Sequence, residues 1–250
     1  MVESKQNIRL LSLQELTDQM IGFGEKSFRA KQVFEWLWQK NASSFEEMSS
    51  LSLALREKLS AHFTIDHIEI KDQQVSTDKT IKCAFNTTDK RVIEGVLIPT
   101  SKRMTACIAS QVGCSLACKF CATGKLKLMR NLTAGEMVDQ VVYLRDQANS
   151  RYETQLTNIV YMGMGEPLLN YKHMLRSTEL LTSEKGLGIS PKRITVSTAG
   201  FTSEETSLSL VCELNFGSGT LTEMMAVKPS RASSPVVETF AFLAKPSFSM

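Results

Sequence analysis

Gly113-Cys114-Ser115-Leu116-Ala117-Cys118-Lys119-Phe120-Cys121 sets three thiols at C-x3-C-x2-C spacing. A short apolar strand, Met104 to Ala109, precedes it, and a helical pattern from about Thr133 to Gln147 follows. The cysteines therefore sit on the loop at the carboxyl end of a strand, inside a strand-loop-helix unit. Thiolates are the ligands that soft iron sites require, and three on one loop can hold three irons of a [4Fe-4S] cluster. The fourth iron would then be open to a substrate or cofactor. Zinc is the alternative, because Cys107 lies seven residues before Cys114 and would complete a tetrahedron of four thiolates. Zinc ribbons generally present two C-x2-C knuckles, and here only Cys118 and Cys121 have that spacing.

Working outward, strands and helices alternate. A strand ends near Met162, a helix runs from about Tyr171 to Ser183, and a strand lies around Arg193 to Ser197. That rhythm predicts parallel strands joined by right-handed helical crossovers, an α/β core. Three such units make half of a barrel or a small open sheet. Upstream, Ile81, Cys83 and Phe85 alternate with polar neighbours, Asn86 to Lys90 supplies a turn, and Arg91 to Ile98 forms the second strand of a hairpin closed off by Pro99. Val92, Glu94, Val96 and Ile98 share one face of that strand, so a carboxylate stands in an apolar row, where it either reaches solvent or a nearby Lys or is desolvated and made more basic. Before the hairpin, three short helices are predicted: one after the Ser12 cap, one from Ser27 to Lys40 and one from Ser52 to His62. The domain reading is residues 1–75 as a helical domain of RNA-binding type, 76–200 as hairpin plus α/β core, and 201–250 as an atypical tail. That tail carries nine Ser and five Thr with no Asp, and shows no sustained period.

Composition narrows the classes. The 250 residues carry 29 Lys and Arg against 26 Asp and Glu, a formal charge of +3, which permits an acidic partner without requiring one. No apolar run approaches the roughly 20 residues that span a bilayer, and Met1 to Arg9 is too polar for a signal core. Four of the six cysteines fall between Cys107 and Cys121, a clustering that suits metal ligation or thiol chemistry in a reducing cytoplasm rather than a disulfide scaffold. Cys83 is expected as a small core residue, and His62, His67 and His173 are isolated. Lys125, Lys127 and Arg130 could meet RNA phosphates or form a solvated face.

Two further segments carry ligand chemistry. Tyr161-Met-Gly-Met-Gly-Glu-Pro-Leu-Leu-Asn170 follows an apolar strand; glycines at a strand's carboxyl end let a ligand approach the backbone, and Glu166 can accept from an ammonium group. Arg193-Ile-Thr-Val-Ser-Thr-Ala-Gly200 ends the third strand, with Ser197 offering a hydroxyl. Together with C-x3-C-x2-C, the aromatic Phe120, and Ala106-Cys-Ile-Ala-Ser-Gln-Val-Gly-Cys114 with Lys119-Phe-Cys-Ala-Thr-Gly124, the sequence resembles the RlmN/Cfr family of radical S-adenosylmethionine (SAM) RNA adenosine methyltransferases.

The resemblance implies a partial radical-SAM (β/α) barrel. It assigns Cys114, Cys118 and Cys121 to a [4Fe-4S] cluster, and Gly165, Glu166 and Ser197 to SAM. It makes Glu94 the proton acceptor and Cys107 the resolving cysteine of a transient disulfide. It implies a chemistry in which one SAM methylates a carrier cysteine and a second, held by the open iron, is cleaved to a radical that activates the methyl group for addition to an adenine ring carbon. The substrates implied are 23S ribosomal RNA, at C2 of an adenosine in the peptidyl transferase centre, and transfer RNA, with an electron donor such as flavodoxin. A monomeric cytoplasmic enzyme is implied. Alternatives are a zinc-stabilised RNA-binding module, an inactive fragment, and C8 chemistry of the Cfr type. The likeness runs from about Ile8 to Gly200 and includes Phe28-Arg-Ala-Lys-Gln-Val-Phe-Glu-Trp-Leu37. The family's Ser-Leu-His segment and carrier cysteine are not found beyond it, and Cys212 does not fit the carrier's context. The expectation is a truncated or frame-shifted member with impaired activity.

Overall fold

The structure is a computed structural model, and it describes residues 5–119 and 121–199. They divide into two compact units. Residues up to Ile68 together with Glu179–Ile189 form one, and Glu69–Thr178 together with the residues from Ser190 onward form the other.

The first unit is helical. α1 (Leu13–Gly22) starts at Ser12, whose hydroxyl accepts from the Glu15 amide while the Glu15 carboxylate accepts from the Ser12 amide at 2.6 Å, so two of the orphan donors at the helix start are satisfied reciprocally. α2 (Phe28–Trp38) buries Ala30, Val33, Leu37 and Trp38 at helical spacing, and α3 (Leu53–His62), capped by Ser52, buries Leu55 and Leu59. The core collects these with Ile8, Leu16, Met20 and Met48. Gln6–Asn7 pairs in parallel with Phe63–Thr64, joining the two ends of the unit. The Arg9 guanidinium lies 4.7 Å from the Trp38 ring and donates to the Asp66 carbonyl at 2.8 Å.

The second unit is a six-stranded mixed sheet with helices. Its strands are β1 (Glu69–Val75), β2 (Ile81–Asn86), β3 (Val92–Pro99), β4 (Met104–Cys107), β5 (Asn158–Tyr161) and β6 (Ile194–Val196), in spatial order β6-β5-β4-β3-β2-β1. The first four pair antiparallel in sequence; β4, β5 and β6 are parallel. The crossovers run through α4 (Ala134–Tyr152) and α5 (Tyr171–Thr182). Among the described residues this sheet is open, with β1 and β6 as edges, which agrees with the expected half barrel. α4 packs on β3 and β4, setting Met137, Val141 and Leu144 against the row that contains Phe85, Ile93, Leu97 and Ala106.

Three local readings differ. β1 was not foreseen, because six of its seven residues are exposed and show no alternation. Pro99 does not close the hairpin: it is the last residue of β3 and lies opposite Met104, a position where a missing amide donor is tolerated. The boundary expected at residue 75 falls at 68/69 because β1 belongs to the sheet, and residues 179–189 group with the helical unit.

Candidate functional site

The chemistry-bearing segments meet at the carboxyl ends of β4, β5 and β6. Beyond β4 the chain continues alongside the end of β5: the Ile108 amide donates to Val160 O at 3.0 Å, and the Ser110 and Gln111 amides both donate to Met164 O. Gln140 of α4, fully buried, holds this extension from behind. It accepts from the Ala109 amide at 2.8 Å and donates to the Ala109 carbonyl at 3.1 Å.

The cysteine loop stands on two feet. Gln111–Val112 pairs antiparallel with Arg130–Asn131, and the loop between them carries Cys114, Cys118 and Cys121. Gly113 has φ +79°, and a side chain there would run into the Lys127 carbonyl, so the return strand crosses directly over the first ligand position. The Cys114 amide donates to Leu126 O, and Cys121 donates to Cys118 O at 3.1 Å. All three thiols are free and half-buried. Burial pushes the Cys114 thiol up first, and the neighbouring Cys118, Cys121 and Glu166 push it further. Cys107 is the last residue of β4 and lies outside that loop.

The donor set therefore suits a cluster held by three thiolates. Among the described residues no three Cys, His, Asp or Glu side chains stand ready to hold a metal, so uptake requires the loop to draw its thiols together. Phe120 lies outside the described residues.

Beside the loop, the turn after β5 presents Gly165 and Glu166. Gly165 has φ +96°, and a Cβ on it would stand 2.5 Å from Cβ of Gln111, so only glycine fits between the turn and the loop foot. Glu166 is buried; its carboxylate accepts from the Leu168 amide at 3.2 Å and from the Ala199 amide at 2.9 Å. The second of these bonds brings the segment after β6, which contains the half-buried Ser197, to the same carboxylate. Further lone pairs on Glu166 remain for an ammonium group.

Glu94 and Cys107 lie on the strands themselves, Cys107 as the last residue of β4. Val96 of β3 pairs with Cys107 of β4, so Glu94, two residues earlier on β3, shares the face of Cys107 diagonally, at about 7–8 Å between backbones. That face is the one opposite α4. The buried row of β3 is instead Ile93, Gly95 and Leu97, and Glu94 is 46% exposed with Lys82 Nζ at 2.7 Å. Of the two expectations for Glu94, the structure shows the carboxylate that reaches solvent and a nearby lysine: the adjoining valines face an open sheet surface, and Lys82 stands beside the carboxylate. Burial pushes the Cys107 thiol up, an effect that the Met162 amide opposes.

Lys125 and Lys127 are exposed, as an RNA-facing or solvated pair would be. Arg130 is not available for phosphate: its guanidinium pairs with Asp89 at 2.8 Å and Glu136 at 2.7 Å. Sequence reasoning passed over four amides that organise the site, Gln111, Asn131, Gln140 and Asn170. Asn170 donates to Ser110 O at 2.7 Å and Leu132 O at 2.8 Å, stitching both loop feet to the turn after β5. Their one signal in the sequence is that two of them, Gln111 and Asn170, lie inside the motifs that carry the chemistry.

The chain is similar to known proteins in both units. The model of the ribosomal RNA large subunit methyltransferase N-terminal domain matches residues 6–65, and that of the radical SAM superfamily matches residues 108–218. A "Probable dual-specificity RNA methyltransferase RlmN" of Cytophaga hutchinsonii is 54% identical over 204 residues, 82% of this chain and 56% of that protein. A "Dual-specificity RNA methyltransferase RlmN" of Anaeromyxobacter dehalogenans is 39% identical over 246 residues, 93% of this chain and 64% of that protein. The crystal structure of a radical SAM methyltransferase from Sphaerobacter thermophilus aligns with TM-score 0.70 at 40% identity, covering 78% of this chain and 57% of that one. The chain thus spans little more than half the length of the relatives it matches. Cys212 and the rest of 201–250 lie outside the described residues.

Proposed function

Because the chain belongs, over the residues matched, to the RlmN family of radical SAM RNA methyltransferases, we propose that it serves methyl transfer to C2 of adenosine. The substrates are 23S ribosomal RNA at the peptidyl transferase centre and adenosine 37 of transfer RNAs, and the route is a methylated cysteine. The observation that carries this reading is the convergence of the three-cysteine loop, the Gly165-Glu166 turn and the end of β6 at one sheet edge, with Glu166 hydrogen-bonded to Ala199.

In this reading Cys114, Cys118 and Cys121 hold a [4Fe-4S] cluster, and Gly165, Glu166 and Ser197 hold SAM. When bound, the cluster supplies the electron that cleaves SAM. The chain's own residues do the rest. Gly165 keeps the turn close to the backbone of the loop foot, and Glu166, oriented by the Leu168 and Ala199 amides, accepts from the amino group of SAM. Ser197 donates to the cofactor's oxygens. Glu94 removes a proton from the methylated base, with Lys82 at 2.7 Å orienting its carboxylate. Cys107, with its thiol pushed up by burial, stays protonated until it is needed as the resolving thiol. An electron donor such as flavodoxin, a monomeric state and a cytoplasmic location complete the proposal; no helix among the described residues is long and apolar enough to cross a membrane.

The test is anaerobic reconstitution with iron and sulfide, followed by iron and zinc analysis and an assay for 5′-deoxyadenosine. Iron uptake with SAM cleavage supports the reading. Stoichiometric zinc without cleavage overturns it.

A further inference from the structure

We propose that Gln111 is a positioning residue that couples the cluster loop to the SAM-binding turn, an inference that rests on the reading of the site given above. Gln111 is fully buried, yet it has a polar side chain, at the base of a loop whose tip includes the exposed Ser115, Ala117, Lys125 and Lys127. Each end of its amide has one partner, and the two partners belong to different segments. Its Nε2 donates to Asn131 Oδ1 at 2.7 Å, on the returning foot of the cysteine loop. Its Oε1 accepts from the Glu166 amide at 2.8 Å, in the turn after β5. The side chain is therefore a two-ended strut between the segment that holds the cluster thiols and the residue that receives the cofactor's ammonium.

Three features make the strut specific rather than incidental. The Gln111 amide donates to Met164 O at 3.2 Å, so backbone and side chain grip the same turn on both sides of Gly165. Gly165 must lack a side chain because Cβ and Cγ of Gln111 occupy its space, at 2.5 and 2.8 Å from where a Cβ would stand. Asn131, the partner at the other end, donates in turn to Leu169 O at 3.4 Å. A shift of the cysteine loop is thus passed to Glu166 through one rigid amide. The reverse also holds: a cofactor that fixes Glu166 biases the loop. The length of the glutamine side chain sets the separation between the two halves of the site, which matters because SAM must reach the open iron and Glu166 at once.

The test uses the full chain and two variants. Gln111→Met keeps length and volume but removes both hydrogen bonds. Gln111→Glu keeps the acceptor toward the Glu166 amide. The first readout is hydrogen exchange of the protein before reconstitution. In Gln111→Met the amides of residues 164–166 exchange at least tenfold faster while those of α4 and β3 are unchanged, and Gln111→Glu restores protection of Glu166. The second readout is SAM affinity after reconstitution: Gln111→Met retains the wild-type iron content, but SAM binds about tenfold more weakly and its effect on the EPR signal of the reduced cluster is diminished. Unchanged exchange at Glu166 overturns the proposal. So does loss of α4 and β3 protection together with the turn, which would make Gln111 a general folding residue. If the wild type takes up no iron, the functional reading above fails while the exchange result still decides whether Gln111 couples loop and turn.

Discussion

Replacing Arg130 with methionine removes a cation that joins the hairpin turn, the returning loop foot and the start of α4. Arg130 donates to Glu136 through Nη1 and Nη2 at 2.9 and 2.7 Å and to Asp89 through Nε and Nη2 at 3.0 and 2.8 Å. The two pairs are not equal. The side chain of Glu136 is 10% exposed against 41% for Asp89, so the first is a charge-assisted, largely desolvated pair and the second is screened. Breaking the Glu136 pair costs about 2–3 kcal/mol, below the usual figure for a buried pair because the Thr133 amide and hydroxyl still donate to that carboxylate. Breaking the Asp89 pair adds about 0–1 kcal/mol. The sum predicts a loss of about 3 kcal/mol in a urea titration, and a drop in melting temperature on the order of 10 °C. The variant also changes the acid limb. Arg130 holds the Asp89 carboxyl well below the usual carboxylate range, so the unfolded chain binds more protons, and the stability from this group is present above the unfolded value and lost as pH falls. In Arg130→Met that slope flattens. A loss under about 1 kcal/mol in the variant, or an acid limb unchanged by it, would refute the reasoning.

Other consequences follow from the same geometry. Gly165→Ala forces a left-handed residue and a clash with Gln111, costing about 1–2 kcal/mol in conformation alone; SAM binding measured by titration should fall while iron content is retained. Glu94→Gln should change stability by less than about 1 kcal/mol in a urea titration, since its ion pair with Lys82 is half-exposed; a larger loss would show that the pair is not screened. His173 on α5 is pushed down, first by burial and then by Arg176. Its stabilising contribution is present above the ordinary histidine value and lost as pH falls through the depressed one, so His173→Gln should reduce the decline in stability below about pH 6.5.

The sequence was most legible where structure is local. The helix starts expected at the Ser12 cap, at Ser52 and at about Thr133 are reproduced, each with its side chain accepting from an amide of the first turn. The end of α4 was less visible: the helix runs to Tyr152 rather than Gln147, because its last turn is polar and stops only at Glu153 in the left-handed region. β1 left no period because, at the edge of the sheet, nearly all its side chains meet water.

Glu94 shows a different limit. The period-two pattern correctly puts it in a row with Val92, Val96 and Ile98, but periodicity cannot say which of a strand's two faces is buried. Gly95 hides the answer: it belongs to the inward row because Phe85 of the neighbouring strand would lie 3.0 Å from a Cβ there, with Leu144 of α4 at 3.5 Å. The inward row therefore has a glycine where a hydrophobe would have announced it, and the row of valines that looked like core faces away from α4 beside Cys107. Had the assignment run the other way, Glu94 would be a desolvated acid under a helix and out of reach of any RNA. On the open face it can meet a base, and it shares that face with the thiol assigned to the same reaction. The displacement from core to open surface is thus what allows the proposed role.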